Sequence, residues 1–393
     1  MTDRFKLPDY NNCIVNLANS VLKKFGASTT AGTLPLADKY LSGDYKNVVI
    51  ILLDALGTSI LEKHLEPDSF FRSHYVVSFD SVFPPTTVAS TTSIMSGLYP
   101  NEHGWLGWDI YYPELDKNVT VFRNHEQLSE KPGAVPNKTD ANGKKIWSED
   151  SLNKIQPAAE FNAGYKYTPY KTIIEKINDA GAKAYFSMPF LPPFPKNLEA
   201  ILKRIKKLCD EPEQKFIYAY WNEPDSTMHL TGTNSSKTHE MILSLEKRIE
   251  EFTATLSDTL ILITADHSHI DSKNLCILDY PEIMNCLVRL PSIETRALNL
   301  FVKEEYKESF PSLFKKTFGD DFLLLTKEEV LKEKVFGTGQ DNPLLNDMLG
   351  DYLALSVCGT SITNTHFIAQ KMLGNHAGLT QEEIKIPLIA ITA

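Results

Sequence analysis

Several things are scarce in this chain, and each scarcity narrows what it can be. Cysteine is sparse and unpaired: Cys13, Cys209, Cys276, Cys286 and Cys358 include no CxxC pair, and their number is odd. Such a set does not suggest a disulfide framework or a thiolate zinc site. It favours a reducing compartment, so a cytoplasmic location is expected. Long apolar runs are missing as well. None approaches the roughly 18 residues of a membrane-spanning helix, so no membrane span is expected. The opening, MTDRFKLPDYNNCIVNLANSV, has no apolar block of the secretory-leader type. Positive charge is in deficit, with 40 Lys and Arg against 50 Asp and Glu and a net charge of −10. A surface of that sign repels polyanions and argues against broad binding to nucleic-acid polymers or anionic membranes. A small anionic substrate is still admitted, because a bound metal can reverse the field inside a cleft.

What is present is ordinary for a large globular protein: 393 residues, 42% apolar and 23% charged, enough to bury a sizeable core. NVVIILL (47–53), KFIYAYW (215–221) and TLILITA (259–265) are nearly pure apolar runs rich in β-branched or aromatic residues. Strands buried on both faces of a parallel sheet read this way. AYFSMP (184–189), YLALSV (352–357) and IPLIAI (386–391) predict further strands, and helical patterns lie at 170–180 and 238–256. The alternation predicts an α/β fold with a doubly wound, mostly parallel sheet sandwiched by helices. Two stretches break it. Residues 105–168, rich in Trp, Tyr, Pro, Asn and Gly, suggest a lid-like excursion. Residues 279–345 read as a small inserted α+β cap, with RALNLFV (296–302) as one strand. The core is then 1–278 together with 346–393. Nothing in the pattern indicates an oligomeric state.

Chemistry collects where the apolar runs stop. Asp54 follows the first run, Asp225 and His229 come just after the 215–221 run, and Asp266 and His267 follow the third. Open α/β sheets bind ligands beyond the carboxyl ends of their strands. Carboxylates buried there are costly without a cation. Asp and His without thiolate suit a catalytic zinc, with manganese or iron also admitted. Asp225 and His229, four apart, share a face on a helical turn. His376, flanked by Gly374 and Gly378 in a tight loop, is a candidate last ligand. In DSVFPPTTVASTTSIMSGLYPNEHG, Pro84 and Pro85 are expected to stop a strand. Thr86 or Thr87 then caps a helix running to about Ser96, which Gly97 ends. A hydroxyl there sits among free backbone N–H groups that can hold a phosphoryl oxygen. Singly, each residue also has a plain reading: Asp54 and Thr87 as helix caps, Asp225 and His229 as a surface pair. His269 could orient a neighbouring ligand or be a turn residue, and the aromatics at 105, 108, 111 and 112 could pack a core.

LLDALG, FPPTTVASTTSIMSGLYPNEHG, PDSTMH, TADHSH and NHAGLT, in that order, resemble the alkaline phosphatase superfamily. The resemblance is strongest to its type I phosphodiesterase/nucleotide pyrophosphatase and phosphonoacetate hydrolase branch. It covers roughly 46–104, 215–268 and 370–391. It implies Thr87 as nucleophile and two divalent metal ions, Zn2+ by preference. Asp54, Thr87, Asp266 and His267 would hold one ion, and Asp225, His229 and His376 the other. The implied activity is hydrolysis of phosphate diesters or nucleotide pyrophosphates through a phosphothreonine. Small phosphorylated or phosphonate molecules are the expected partners. Nucleotide pyrophosphatases of this group carry an Asn after the GLYPxxHG stretch; Trp108 stands there in this chain and is the expected substrate contact. Two other readings compete: cleavage of a P–C bond in a phosphonate, and a metal-stabilised binding protein that has lost catalysis.

Overall fold

The computed structural model describes residues 6–393; the first five, part of the opening read above for a leader, lie outside the described residues. A six-stranded sheet forms the centre, in the spatial order Tyr75–Asp80, Lys385–Thr392, Thr259–Thr264, Asn47–Leu53, Lys215–Trp221, Lys183–Ser187. Asn47–Leu53 runs parallel to both neighbours, with Val48 opposite Leu260 on one side and Phe216 on the other. Lys385–Thr392 runs antiparallel to both of its own. This is the doubly wound, mostly parallel sheet expected from the apolar runs. The six Val, Ile and Leu side chains of Asn47–Leu53 are all no more than 1% exposed. Each contributes about 1.5–3 kcal/mol relative to an exposed position. Helices Ile14–Lys24, Leu198–Cys209 and Ser236–Thr253 bring their apolar faces into the same core. Among the described residues no helix is long and apolar enough to cross a membrane.

A second, antiparallel sheet of seven strands lies outside this core. Its order is Phe322–Thr326, Tyr352–Ser356, Ala297–Leu300, Ser292–Glu294, Asp109–Tyr112, Lys117–Thr120, His125–Glu126. The lid-like excursion and the insertion, separate in the sequence, thus contribute strands to one sheet. The 352–357 run lies in this sheet, as Tyr352–Ser356, and not in the central one. An apolar run reports burial but not which sheet buries it. Trp105, Ile110, Tyr112, Val119 and Ala163 of the excursion share one hydrophobic cluster with Ile293, Ala297, Leu353 and Leu355. The strand before the two prolines also ends earlier than expected, at Asp80.

The two sheets are fastened near the chain's end. Arg296, fully buried, grips Glu383 bidentately, with both N–O distances 2.8 Å. Glu383 also accepts from the Gly378 N–H at 2.7 Å and the Thr380 hydroxyl at 2.6 Å. Both charges are thus compensated and the loop carrying His376 is held in place.

Candidate metal centre and nucleophile

Three adjacent parallel strands end level with one another. Leu53 pairs with Trp221, and Leu52 with Thr264. The residues that follow emerge together: Asp54 at once, Asp266 two residues after Thr264, and Asp225 as the first residue of the helix Asp225–Thr231. Ala55 turns in the left-handed region, φ 62°, a conformation costly for a side chain with a Cβ. Its N–H is satisfied by Asp266 Oδ1 at 3.1 Å, which also accepts from the His267 N–H at 3.0 Å. Asp54 Oδ2 accepts from the Tyr220 hydroxyl. Asp54 Oδ1 and Asp266 Oδ2 are left buried without a hydrogen-bond partner. Burial, and then the neighbouring Asp266 charge, push the Asp54 carboxyl well above its ordinary range; burial pushes Asp266 upward too. Two orphaned acceptor oxygens in a dry pocket fit a cation.

Thr87 closes this half. It opens the helix Thr87–Ser96 behind Thr86 as N-cap, and Gly97 ends the helix with φ 72°. Its hydroxyl lies 3.2 Å from His267 Nε2 and 3.5 Å from Asp54 Oδ2. His267 Nε2 is 3.3 Å from Asp54 Oδ1 and 3.6 Å from Asp266 Oδ2. The helix is fixed by Ser81, whose hydroxyl contacts Ser90 Oγ at 2.8 Å and donates to the Asp266 carbonyl.

The other half is rich in imidazole. Asp225 Oδ1 faces His269 Nε2 at 2.7 Å, His229 Nε2 at 3.3 Å and His376 Nε2 at 3.8 Å. Burial works against the ionised form of Asp225, but these imidazoles outweigh it and hold the carboxyl well below the usual range. Burial lowers His229 and His376, which keeps them in the neutral form that binds metals. His229 Nδ1 donates to the Gly374 carbonyl at 2.9 Å, which aims Nε2 inward. His376 arrives through Gly374–Asn375, paired antiparallel with Ile270–Asp271. Gly374 has to be glycine: a Cβ would fall 2.6 Å from the Met228 carbonyl and 2.8 Å from His269 Nδ1. The rings of His376 and His267 stack at 3.9 Å, so the halves adjoin. Two groups of donor atoms, each within 4.8 Å of one another, could hold a metal ion: Asp54, Asp266 and His267, and Asp225, His267, His269 and His376.

Thus Asp54, Thr87, Asp225, His229, Asp266, His267 and His376 occupy one region. Trp108 borders this region through its backbone. Its side chain is 39% exposed and meets Phe122 edge-on, while its backbone N–H donates to Glu294 Oε1 at 2.9 Å. Glu294, on the inserted strand Ser292–Glu294, escaped sequence reasoning because no motif marks it. Its Oε1 also accepts from Thr86 Oγ1 at 2.5 Å, and burial pushes the carboxyl up to about 8. Tyr220 was missed too, although a hydroxyl inside an apolar strand run was a usable signal. Trp105 and Tyr112 are core residues, both bonded to Thr168.

Residues 48–308 match the family model described as type I phosphodiesterase / nucleotide pyrophosphatase. The chain belongs to that family. It is the branch that the order of the motifs resembles. Venom phosphodiesterase 2 of Crotalus adamanteus is 26% identical over 163 residues, 40% of this chain and 17% of that protein. Venom phosphodiesterase of Macrovipera lebetinus is 26% identical over 175 residues, 42% of this chain and 17% of the relative. The match thus spans about a sixth of the length of those venom proteins. Among solved structures, inactive murine ectonucleotide pyrophosphatase / phosphodiesterase 5 in complex with AMP superposes with TM-score 0.64 at 15% identity, covering 88% of this chain and 87% of the other. Phosphonoacetate hydrolase from Sinorhizobium meliloti 1021 in complex with phosphonoformate gives TM-score 0.58 at 12% identity, covering 87% and 89%. Likeness at such identity speaks for the fold.

Proposed function

We propose that this chain hydrolyses small phosphate diesters or nucleotide pyrophosphates, with Thr87 as nucleophile and two divalent cations, zinc in preference to manganese. The observation that carries the proposal is the Thr87 hydroxyl at a helix N-terminus, beside His267 and two buried carboxylates with unpaired oxygens. Asp54, Asp266, His267 and Thr87 would hold one cation, and Asp225, His229 and His376 the other. Cations bound there supply positive charge that screens phosphoryl oxygens and lowers the pKa of the Thr87 hydroxyl. Thr87 Oγ would lose its proton and attack phosphorus, one ester oxygen leaves and is protonated, and water then cleaves the threonyl phosphate that still carries the other substituent, releasing the monoester and restoring the Thr87 hydroxyl. Free N–H groups of the first helical turn bind the phosphoryl oxygens as charge builds on them.

The insertion favours esters over a carboxylate-bearing phosphonate. The latter needs cationic or hydroxyl groups converging near Thr87. The insertion instead places Glu294 there, and both of its arginines are engaged elsewhere, Arg289 with Asp116 and Arg296 with Glu383. The five free thiols support a reducing, cytoplasmic setting as part of the same reading. The test is hydrolysis of a chromogenic phosphodiester and of phosphonoacetate by pure protein, with and without chelator, alongside metal analysis. Chelator-sensitive diester cleavage is expected. A protein that binds no metal and cleaves neither compound sinks the proposal; faster cleavage of phosphonoacetate reassigns the substrate.

A further inference from the structure

The chain brings one more imidazole to the centre than the proposed ligands use. His269 has a side chain with no exposed area, and its Nε2 is closer to Asp225 Oδ1, at 2.7 Å, than either His229 or His376. Its ring packs edge-on against His229, centroids 4.6 Å apart, and lies 5.0 Å from His376. Its other nitrogen, Nδ1, is buried without a partner in the space left by the missing Cβ of Gly374.

That lone nitrogen assigns the tautomer. If Nε2 bound a cation, the proton would sit on Nδ1 as a buried N–H with no acceptor, the costlier kind of orphan. If Nε2–H donates to Asp225, Nδ1 is only an unused acceptor. The second arrangement is favoured: Nε2–H donates to Asp225 Oδ1, the oxygen that also faces His229 and His376, and fixes the carboxylate while that oxygen keeps a lone pair for a cation. We infer that His269 is a positioning residue of the Asp225 site: its Nε2–H orients the carboxylate toward the cation without ligating it. This inference rests on the two-cation reading above. A carboxylate pinned by a hydrogen bond loses less freedom on binding the ion, so the device raises affinity at one site and leaves the other alone.

The experiment compares wild type, His269→Ala and His269→Gln after removal of metal. Zn2+ binding is titrated by calorimetry, and Co2+ is titrated by visible absorption. Wild type is expected to take up two ions. His269→Ala is expected to bind one of them about 10–100-fold more weakly and the other unchanged. His269→Gln, which keeps an N–H donor, should recover most of the loss. The Co2+ band positions should match wild type in both variants, since no ligand has been removed. Equal affinity for both ions in His269→Ala overturns the inference. So does a displaced Co2+ spectrum, which would make His269 a ligand. Wild-type protein that takes up no ion would instead fail the proposed function itself.

Discussion

On the Thr87 side of the centre, Asp54 and Asp266 crowd two carboxylates into a pocket with no fixed cation, and burial drives both toward the protonated form. Across the stacked rings of His267 and His376, Asp225 stands among three imidazoles and is held ionised. One half sets two carboxylates against each other beside a single imidazole; the other surrounds one carboxylate with three. The lesson is that a cation is worth more to folding in the first half, because it relieves a repulsion the chain cannot relieve itself.

The severest way to break this picture is Thr87→Ala. Turnover is expected to fall about 1,000-fold or more, because the proposed nucleophile is gone, while Zn2+ uptake stays near two ions. Turnover equal to wild type would show that the aspartate-rich half is structural.

His103 sharpens the contrast from outside the centre. It is a buried imidazole with no carboxylate facing it, accepting from the Trp105 N–H at 3.0 Å and contacting Ser93 Oγ at 3.1 Å. Burial lowers its pKa to about 3. The unfolded chain takes the proton first, near pH 6.5, so this residue's stability contribution is intact above about 6.5 and lost as pH falls toward 3. Between pH 6.5 and 4 that amounts to a loss of about 3 kcal/mol, and urea melts of His103→Gln should show a shallower acid slope. An unchanged slope would place the acid lability elsewhere.

Next in size is a pair of opposite signs. In chelated protein, Asp54→Asn should stabilise by about 1–2 kcal/mol, by removing a repelled charge, and Asp225→Asn should destabilise by about 1–3 kcal/mol. Urea melts of both variants decide it; the same sign in both would erase the distinction between the halves.

The smallest effect concerns Glu294, the insertion's carboxyl beside Thr86. Burial holds its carboxyl up to about 8, so the fraction ionised is expected to grow through that range and to repel an anionic substrate. KM is therefore expected to rise a few-fold between pH 7.5 and 9, and Glu294→Gln, which keeps the acceptor for Thr86 and Trp108, should flatten that rise. A KM profile identical in the two proteins would leave Glu294 without influence on substrate.

Much of the centre could be read from the chain because of where its residues stand. Asp54, Asp225 and Asp266 each follow a run of buried β-branched or aromatic residues, and a strand covered on both faces has no polar alternation to obscure its end. Thr87 was legible from the prolines before it and Gly97 after it, which bracket one helix. The second sheet was not legible. Its strands come from 109–126, 292–326 and 352–356, and nothing local marks which strand pairs with which.

By itself the sequence determined the strand ends, the helix that presents Thr87 and the residue types able to bind a cation, because these depend on local pattern and near-neighbour spacing. Only the tertiary structure decided that Glu294 reaches Thr86 across 208 positions, that Tyr220 turns its hydroxyl onto Asp54, and that His269 rather than His229 lies closest to Asp225. Those contacts depend on sheet register and on glycine-sized gaps such as the one at Gly374, which arise only when distant segments pack together.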